Sequence, residues 1–167
     1  KALQGKYGTV EVRHVLDAVA QGTLAMGYTD PFVSSAGLNF LVAVLGTFAQ
    51  GDANTMLADD VVSAFVAFQR GVPFVALTTP QMRDSVLNDG SLDAFIVNHA
   101  MFAKAPALQS GYTFLPYGIR QDAPLYGIGP LSAEKLEALR LFAQFAAQVP
   151  AQKLATEYGF NQLSHYT

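Results

Sequence analysis

The sequence contains no cysteine and no tryptophan, and only 14% of its 167 residues are charged. Without cysteine, neither a disulfide nor a thiolate metal site can form, and the chain suits a reducing or an oxidising compartment equally. Lysine and arginine total 10 against 13 aspartate and glutamate residues, and no basic run occurs. We therefore expect no nucleic-acid partner, because binding a phosphate backbone needs clustered positive charge.

The chain also lacks a long unbroken hydrophobic run. Its longest apolar stretch, Leu38 to Ala49, is interrupted by Asn39, Gly46 and Thr47 and is too short to cross a bilayer. Hydrophobic residues still make up 51% of the chain, enough for a substantial core. No signal peptide opens the sequence, and the high apolar content favours a piece cut from a larger protein, with a face that meets a neighbour.

Predicted helices and strands alternate along the chain. Apolar spacing and end signals predict helices over Val10 to Ala20, Ser34 or Ser35 to Gln50, Leu57 to Arg70, Thr79 to Asn88, Ser132 to Gln148, and Pro150 to Tyr158. Short apolar runs predict strands at Thr23 to Tyr28, Phe74 to Leu77 and Leu92 to Val97, with further candidates at Tyr112 to Leu115 and Leu125 to Ile128. This alternation predicts an α/β fold with a mixed, mostly parallel sheet flanked by helices on both faces.

Three of these helices carry apolar positions that we expect to be buried. The helix after the serine pair is apolar nearly all round, which is typical of a central helix. In the other two, the expected buried stripes are Val61, Val62, Phe65 and Phe68, and Leu136, Leu139, Phe142 and Phe145.

Polar residues follow three of the predicted strands. They are Tyr28, Thr29 and Asp30 at the first, Thr78 and Thr79 at the second, and Asn98 and His99 at the third. In open α/β sheets, ligands bind beyond the carboxyl ends of the strands. These residues, together with Ser34 and Ser35, are therefore the candidate ligand-binding set.

The serine pair stands where a helix begins. The first amides of a helix have no partner inside the helix, and the helix dipole is positive there, so an anion is favoured. Ser34 and Ser35 would add hydroxyl donors, whereas Asp30 would repel the anion unless its carboxylate turns away. The simpler alternative is that one serine caps the helix and Asp30 only shapes the turn at Pro31.

The other candidate residues also have two interpretations. Thr79 is expected to cap the helix that begins at Pro80, which would leave Thr78 free to face the ligand. Tyr28 either stacks on a ligand or packs in the core. His99 either donates to an anion, ligates a metal or fills a polar edge, and no second histidine or carboxylate in register supports the metal.

The sequence resembles the type II periplasmic solute-binding proteins of ABC-type transport. Four stretches, in the order found in that family, are similar to it: "GTLAMGYTDPFVSSAGLNFLVAVL", "GVPFVALTT", "LNDGSLDAFIVNHAMF" and "APLYGIGPLSAEKLEALRLFAQFAAQVPAQKLATEYGFN". The resemblance implies a two-lobed clamp. Residues 1–118 would form the second, ligand-binding lobe, and residues 119–167 a return segment with two closing helices.

The same resemblance implies partners and a location. It implies reversible binding of a small polar or anionic solute, a first lobe elsewhere in the full-length protein, a membrane permease, and an extracytoplasmic position, periplasmic or lipid-anchored at the cell surface. From the residues themselves we expect no cofactor and no metal. The alternative is an interaction or sensory module of a larger surface protein that kept this fold.

An enzyme is the third class that we consider. Asp30, Ser35 and His99 supply the residue types of a hydrolytic triad. The chain has no Gly-x-Ser-x-Gly elbow and no glycine-rich phosphate motif, and a serine at a helix start is explained by capping. We therefore expect binding without catalysis.

Overall fold

The computed structural model describes residues 2–117 and 124–162. The predicted boundary between residues 118 and 119 lies outside the described residues. The chain divides into two compact units. The first contains the chain up to Asn98 and the segment from Ala107, and the second contains His99–Pro106 and the C-terminal part.

The first unit is an α/β structure. Its elements are α1 (Ala2–Tyr7), α2 (Val12–Ala20), β1 (Met26–Thr29), α3 (Ser35–Phe48), a 3-10 turn (Ala53–Thr55), α4 (Asp59–Arg70), β2 (Phe74–Ala76), α5 (Thr79–Asp89), β3 (Ala94–Phe95) and α7 (Pro106–Gly111). The last of these helices begins at the boundary of the two units. The second unit contains α6 (His99–Ala103), α8 (Ala133–Ala146) and α9 (Val149–Glu157).

The sheet has three parallel strands in the order β2-β1-β3. In the register of β1 with β2, Thr29 pairs with Ala76, so these two strands end level with each other. The third strand is shorter than its neighbour, and its Phe95 pairs with Gly27. Parallel pairing with connecting helices confirms the predicted α/β class.

Side chains of β1 alternate between two packed layers. Met26 and Tyr28 belong to the core cluster that α2, α3 and α4 build with Leu16, Val19, Phe40, Val44 and Phe68. A side chain at Gly27 would instead meet Met82 of α5 and Leu92. Successive residues of a strand point to opposite faces, so helices cover both faces of this sheet.

Two of the predicted strands are not strands in the structure. Residues 112–115 form no ladder; the Tyr112 hydroxyl donates to the carbonyl oxygen of Leu92, and its ring meets Phe95 edge-on at 5.0 Å between centroids. Residues 125–128 are exposed and precede a turn at Gly129, which has a φ of 73°. Apolar residues alone do not make a strand, because a ladder also needs a neighbouring backbone edge.

The predicted strands that do form are shorter than expected. Thr23 does not join β1, because its amide and its hydroxyl both donate to the carbonyl oxygen of Ala18 at the end of α2. At the start of β3, the amides of Asp93 and Ala94 both donate to the carbonyl oxygen of Ala25. Because both amides use the same carbonyl oxygen, the regular strand pairing begins only at Ala94.

Several side chains that we expected to be buried are exposed. Leu38 and Val42 leave about half of their surface open on α3, which is therefore not buried all round, and Val62 is exposed on α4. In α8, Leu136, Phe142 and Phe145 are exposed, and Leu139 is only partly buried. Amphipathic spacing finds the apolar face of a helix, but burial needs a neighbour on that face.

Candidate functional site

The turns after β1 and β2 lie side by side at the carboxyl edge of the sheet. We call residues 29–35 and 77–79 the strand-end rim. The amide of Asp30 donates to the carbonyl oxygen of Ala76 at 2.8 Å, which continues the pairing of the two strands by one residue. The helices α3 and α5 begin directly at this rim, so their N-termini meet the same edge of the sheet.

Of the two serines that the sequence offers as the cap of α3, Ser34 is the one that caps the helix. Its hydroxyl oxygen accepts from the amide of Gly37 at 3.4 Å and also from the hydroxyl of Thr29 at 3.0 Å. Thr29 is fully buried, so this bond satisfies a hydroxyl that would otherwise be costly inside the first unit. Ser34 and Thr29 are therefore committed to holding the rim together.

Ser35 is the first residue of α3 and is exposed. The amides of this first helical turn point out of the helix N-terminus with no partner inside the helix. A ligand in front of them would meet amide donors, the positive end of the helix dipole and the Ser35 side chain.

Asp30 is used in the turn that follows β1. Its Oδ1 atom accepts from the amide of Phe32 at 2.8 Å, and its carbonyl oxygen accepts from the amides of Val33 and Ser34. The carboxylate is thus turned into its own loop, as the simpler interpretation of the sequence predicts. This hydrogen bond fixes the position of the carboxylate, whose negative charge remains and disfavours an anion placed close to it.

Tyr28 lies in the core. Only 8% of its surface is exposed, and its ring packs at 5.7 Å from Phe40 and 6.5 Å from Phe68 between centroids. Its hydroxyl donates to Oε1 of Gln69 on α4. Burial raises the pKa of this phenol; the hydrogen bond to Gln69 opposes the rise, and the charge of Asp30 adds to it.

Thr78, not Thr79, caps α5, so the predicted cap is wrong by one residue. The Thr78 hydroxyl accepts from the amide of Gln81 at 3.3 Å, and its backbone is extended, with φ −137° and ψ 159°. Thr79 is already helical and is half-buried. Pro80 explains the error, because proline is accepted at either of the first helical positions and does not fix the cap by itself.

Asn98 and His99 follow β3 and fall on opposite sides of the boundary between the units. Asn98 is exposed and closes the N-terminal stretch of the first unit. His99 begins α6 in the second unit, where its Nδ1 lies 2.9 Å from the carbonyl oxygen of Gly159. A carbonyl only accepts, so Nδ1 carries the proton in that bond.

The sequence interpretation missed two glutamines, one that holds Tyr28 just before the strand-end rim and one that holds the rim itself. Gln69 holds the Tyr28 hydroxyl, and Oε1 of Gln81 accepts from the amide of Leu77 at 2.9 Å. No local signal marks either glutamine. Gly37 does carry a signal, since glycine is costly within a helix: a Cβ there would overlap the carbonyl oxygen of Thr29.

The described residues contain no cluster of three or more histidine, aspartate or glutamate side chains that would suit a metal ion. Among the same residues, no helix is both long and apolar enough to cross a membrane. No protein-family model matches the sequence, and neither the curated proteins nor the solved structures include a match to it.

Proposed function

We propose that the chain is the second lobe and return segment of a type II extracytoplasmic solute-binding protein. The strand-end rim would bind a small polar or anionic solute reversibly, a first lobe would close over it by hinge motion, and a membrane permease would receive it. The observation that carries this proposal is the level ending of β1 and β2, which sets the starts of α3 and α5 at one edge.

The chemistry of the rim supports binding of a polar group. Ser35 and Thr78 are exposed residues at the starts of α3 and α5, and Oδ1 of Asp30 accepts from the amide of Phe32. The first amides of α3 have no partner inside the helix, which favours a solute with acceptor groups such as an oxyanion or a sugar.

The hydrogen bonds of the triad candidates support binding without catalysis. A triad would direct the Nδ1 proton of histidine to the aspartate and would place the serine next to Nε2. In the structure, the Nδ1 proton of His99 goes to Gly159, and Asp30 accepts from a backbone amide.

Calorimetric titration of the chain with phosphate, sulfate and glucose tests the proposal. We expect at least one probe to bind in the millimolar range, since a single lobe supplies only part of a closed site. Ser35→Ala should weaken that binding about tenfold, the size of one lost hydrogen bond to a charged group. Ser63→Ala is the matched control, because Ser63 is exposed on α4 and only donates to the carbonyl oxygen of Asp59.

The second candidate is an interaction or sensory module that kept the fold and lost solute binding. It is favoured by the absence of lysine and arginine from residues 29–35 and 77–79. A titration in which none of the three probes binds would contradict the solute-binding proposal and leave the module as the better account.

A further inference from the structure

An open groove lies in the second unit, between residues 125–131 and α8. Its volume is about 390 Å³, which falls within the range of about 300–1,000 Å³ found for small-molecule pockets. The strand-end rim belongs to the first unit, so the groove is a different feature of the molecule. Its lining is mostly apolar and includes Leu125, Ile128, Leu131, Lys135, Leu139 and Phe142.

The segment before α8 forms one wall of this groove and packs directly on the helix. A side chain at Gly127 would collide with the end of Leu131 and touch Leu139, so the backbone at Gly127 lies against these two residues. Gly129 makes the turn towards α8 with a φ of 73°. Ser132 then caps the helix by accepting from the amide of Lys135. The groove is therefore built by a loop that is folded back on its own helix.

Lys135 is the charged residue of the described lining. It lies in the first turn of α8, four residues before Leu139 and seven before Phe142, so these side chains share one face of the helix. In the part of the chain that the structure describes, no carboxylate forms an ion pair with the Lys135 ammonium group, and Glu137 pairs with Arg140 instead. The groove thus combines an apolar surface with one positive charge that lacks a counter-charge.

Charge and size together select the occupant of the groove. An ammonium group beside an apolar surface complements a carboxylate that is attached to an apolar body. The anion pairs with the charge, and the body covers the apolar side chains and removes them from water. A groove of this volume holds a molecule of small-ligand size, such as one ring with a short chain.

We propose that this groove binds a small amphipathic carboxylate, with the carboxylate paired to Lys135 and a ring or short alkyl chain packed on Leu139 and Ile128. A neutral molecule with the same apolar body would lack the ion pair, and a cationic one would be repelled by Lys135. The groove therefore selects its ligand by charge as well as by apolar contact. This site goes beyond the solute binding proposed for the strand-end rim and does not depend on it.

Calorimetry on the whole chain with phenylbutyrate, phenylbutanol and phenylbutylamine tests the proposal. The three probes share a ring and a chain and differ in charge. We expect phenylbutyrate to bind about fivefold more tightly than phenylbutanol, which is the size of one good exposed ion pair. Phenylbutylamine should bind more weakly than both. In an NMR titration with phenylbutyrate, the amide shifts should cluster at residues 125–128 and 135–142.

Two variants separate the charge from the apolar contact. Lys135→Gln should lower the affinity for phenylbutyrate to that for phenylbutanol and leave phenylbutanol binding unchanged. Its control is Lys153→Gln, because Lys153 is an exposed lysine of α9 outside the groove. Ile128→Ala should weaken all three probes about threefold, and it should leave the fold intact because 91% of Ile128 is exposed. Val149→Ala, at an 80% exposed residue of α9, is the matched control.

Three results would each overturn this inference. They are equal affinities for the three probes, an unchanged affinity of Lys135→Gln for phenylbutyrate, and no binding of any probe. The proposed function would stand in all three cases, because it rests on residues of the first unit.

Discussion

Both units have helices with phenylalanines on their apolar faces, but these side chains are buried in the first unit and exposed in the second. In the first, Phe40 and Phe68 are buried in one cluster. In the second, α8 is also well capped, by Ser132, but Phe142 and Phe145 are exposed and neither α8 nor α9 has a fully buried residue. The difference teaches that capping and periodicity form a helix, whereas burial depends on a neighbour for its apolar face.

The largest expected contrast compares one buried and one exposed phenylalanine. Phe68→Ala should lower the free energy of unfolding by about 3–5 kcal/mol, because it leaves a cavity in the core. Phe142→Ala should lower it by only about 1–2 kcal/mol, since 58% of the surface of that residue is already exposed. Urea unfolding followed by circular dichroism measures both values. Equal losses would mean that the α8 face is packed in solution and would break the comparison.

A second contrast compares two glycines. Gly37→Ala should cost about 2–3 kcal/mol, because the new Cβ would overlap the backbone carbonyl of Thr29, which cannot move without shifting β1. In Gly127→Ala the new Cβ would meet the end of the Leu131 side chain, which can rotate away, so little loss is expected. Thermal melts of the two variants compare them. A mild effect at Gly37 would contradict the close approach of α3 to β1.

Tyr28→Phe should cost about 1 kcal/mol by removing the hydroxyl that Gln69 holds. Tyr126→Phe, with an exposed ring in the second unit, is its control at neutral pH. Burial raises the pKa of Tyr28, so the unfolded chain loses this proton first as pH rises above about 10. The free energy of unfolding should therefore fall with rising pH in that range, and less steeply in Tyr28→Phe. Identical slopes would contradict the buried phenol.

The smallest expected effect is the loss of a helix cap, which should weaken a helix of the first unit and a helix of the second unit by the same amount. Thr78 and Ser132 both cap a helix by accepting from the amide three residues on. Each alanine substitution should weaken its own helix by about 1 kcal/mol, and amide hydrogen exchange in α5 and α8 would show it. Faster exchange in only one helix would show that capping also depends on the surrounding packing.

Local chemistry predicts much of the fold from the sequence. Gly51 and Gly90 have positive φ values after α3 and α5, as glycines at helix ends commonly do, and Ser34, one of the two candidate serines, and Ser132 cap their helices. The predicted strand from Leu92 to Val97 is too long, because only Ala94–Phe95 pairs with a neighbouring strand. Strand length is set by the neighbouring backbone, which no local pattern contains.

The candidate site is less visible in the sequence than the fold. β1 and β2 end at the same level because of their register, and this register brings the two following turns together. The register is a property of the pair of strands, so neither strand's sequence alone predicts it. The place of Tyr28 in the core depends on Phe40, Phe68 and Gln69, which come from other elements of the chain and are not predictable from its own strand.

Mapping of amide chemical shifts by two-dimensional NMR, during titration with phosphate, sulfate and glucose, tests the central claim most directly. The account predicts that the largest shifts cluster at the starts of α3 and α5, at the amides of residues 35–37, Thr79 and Gln81, since Pro80 has no amide proton. Shifts confined to α8 and α9, or shifts scattered without a cluster at these helix starts, would contradict it.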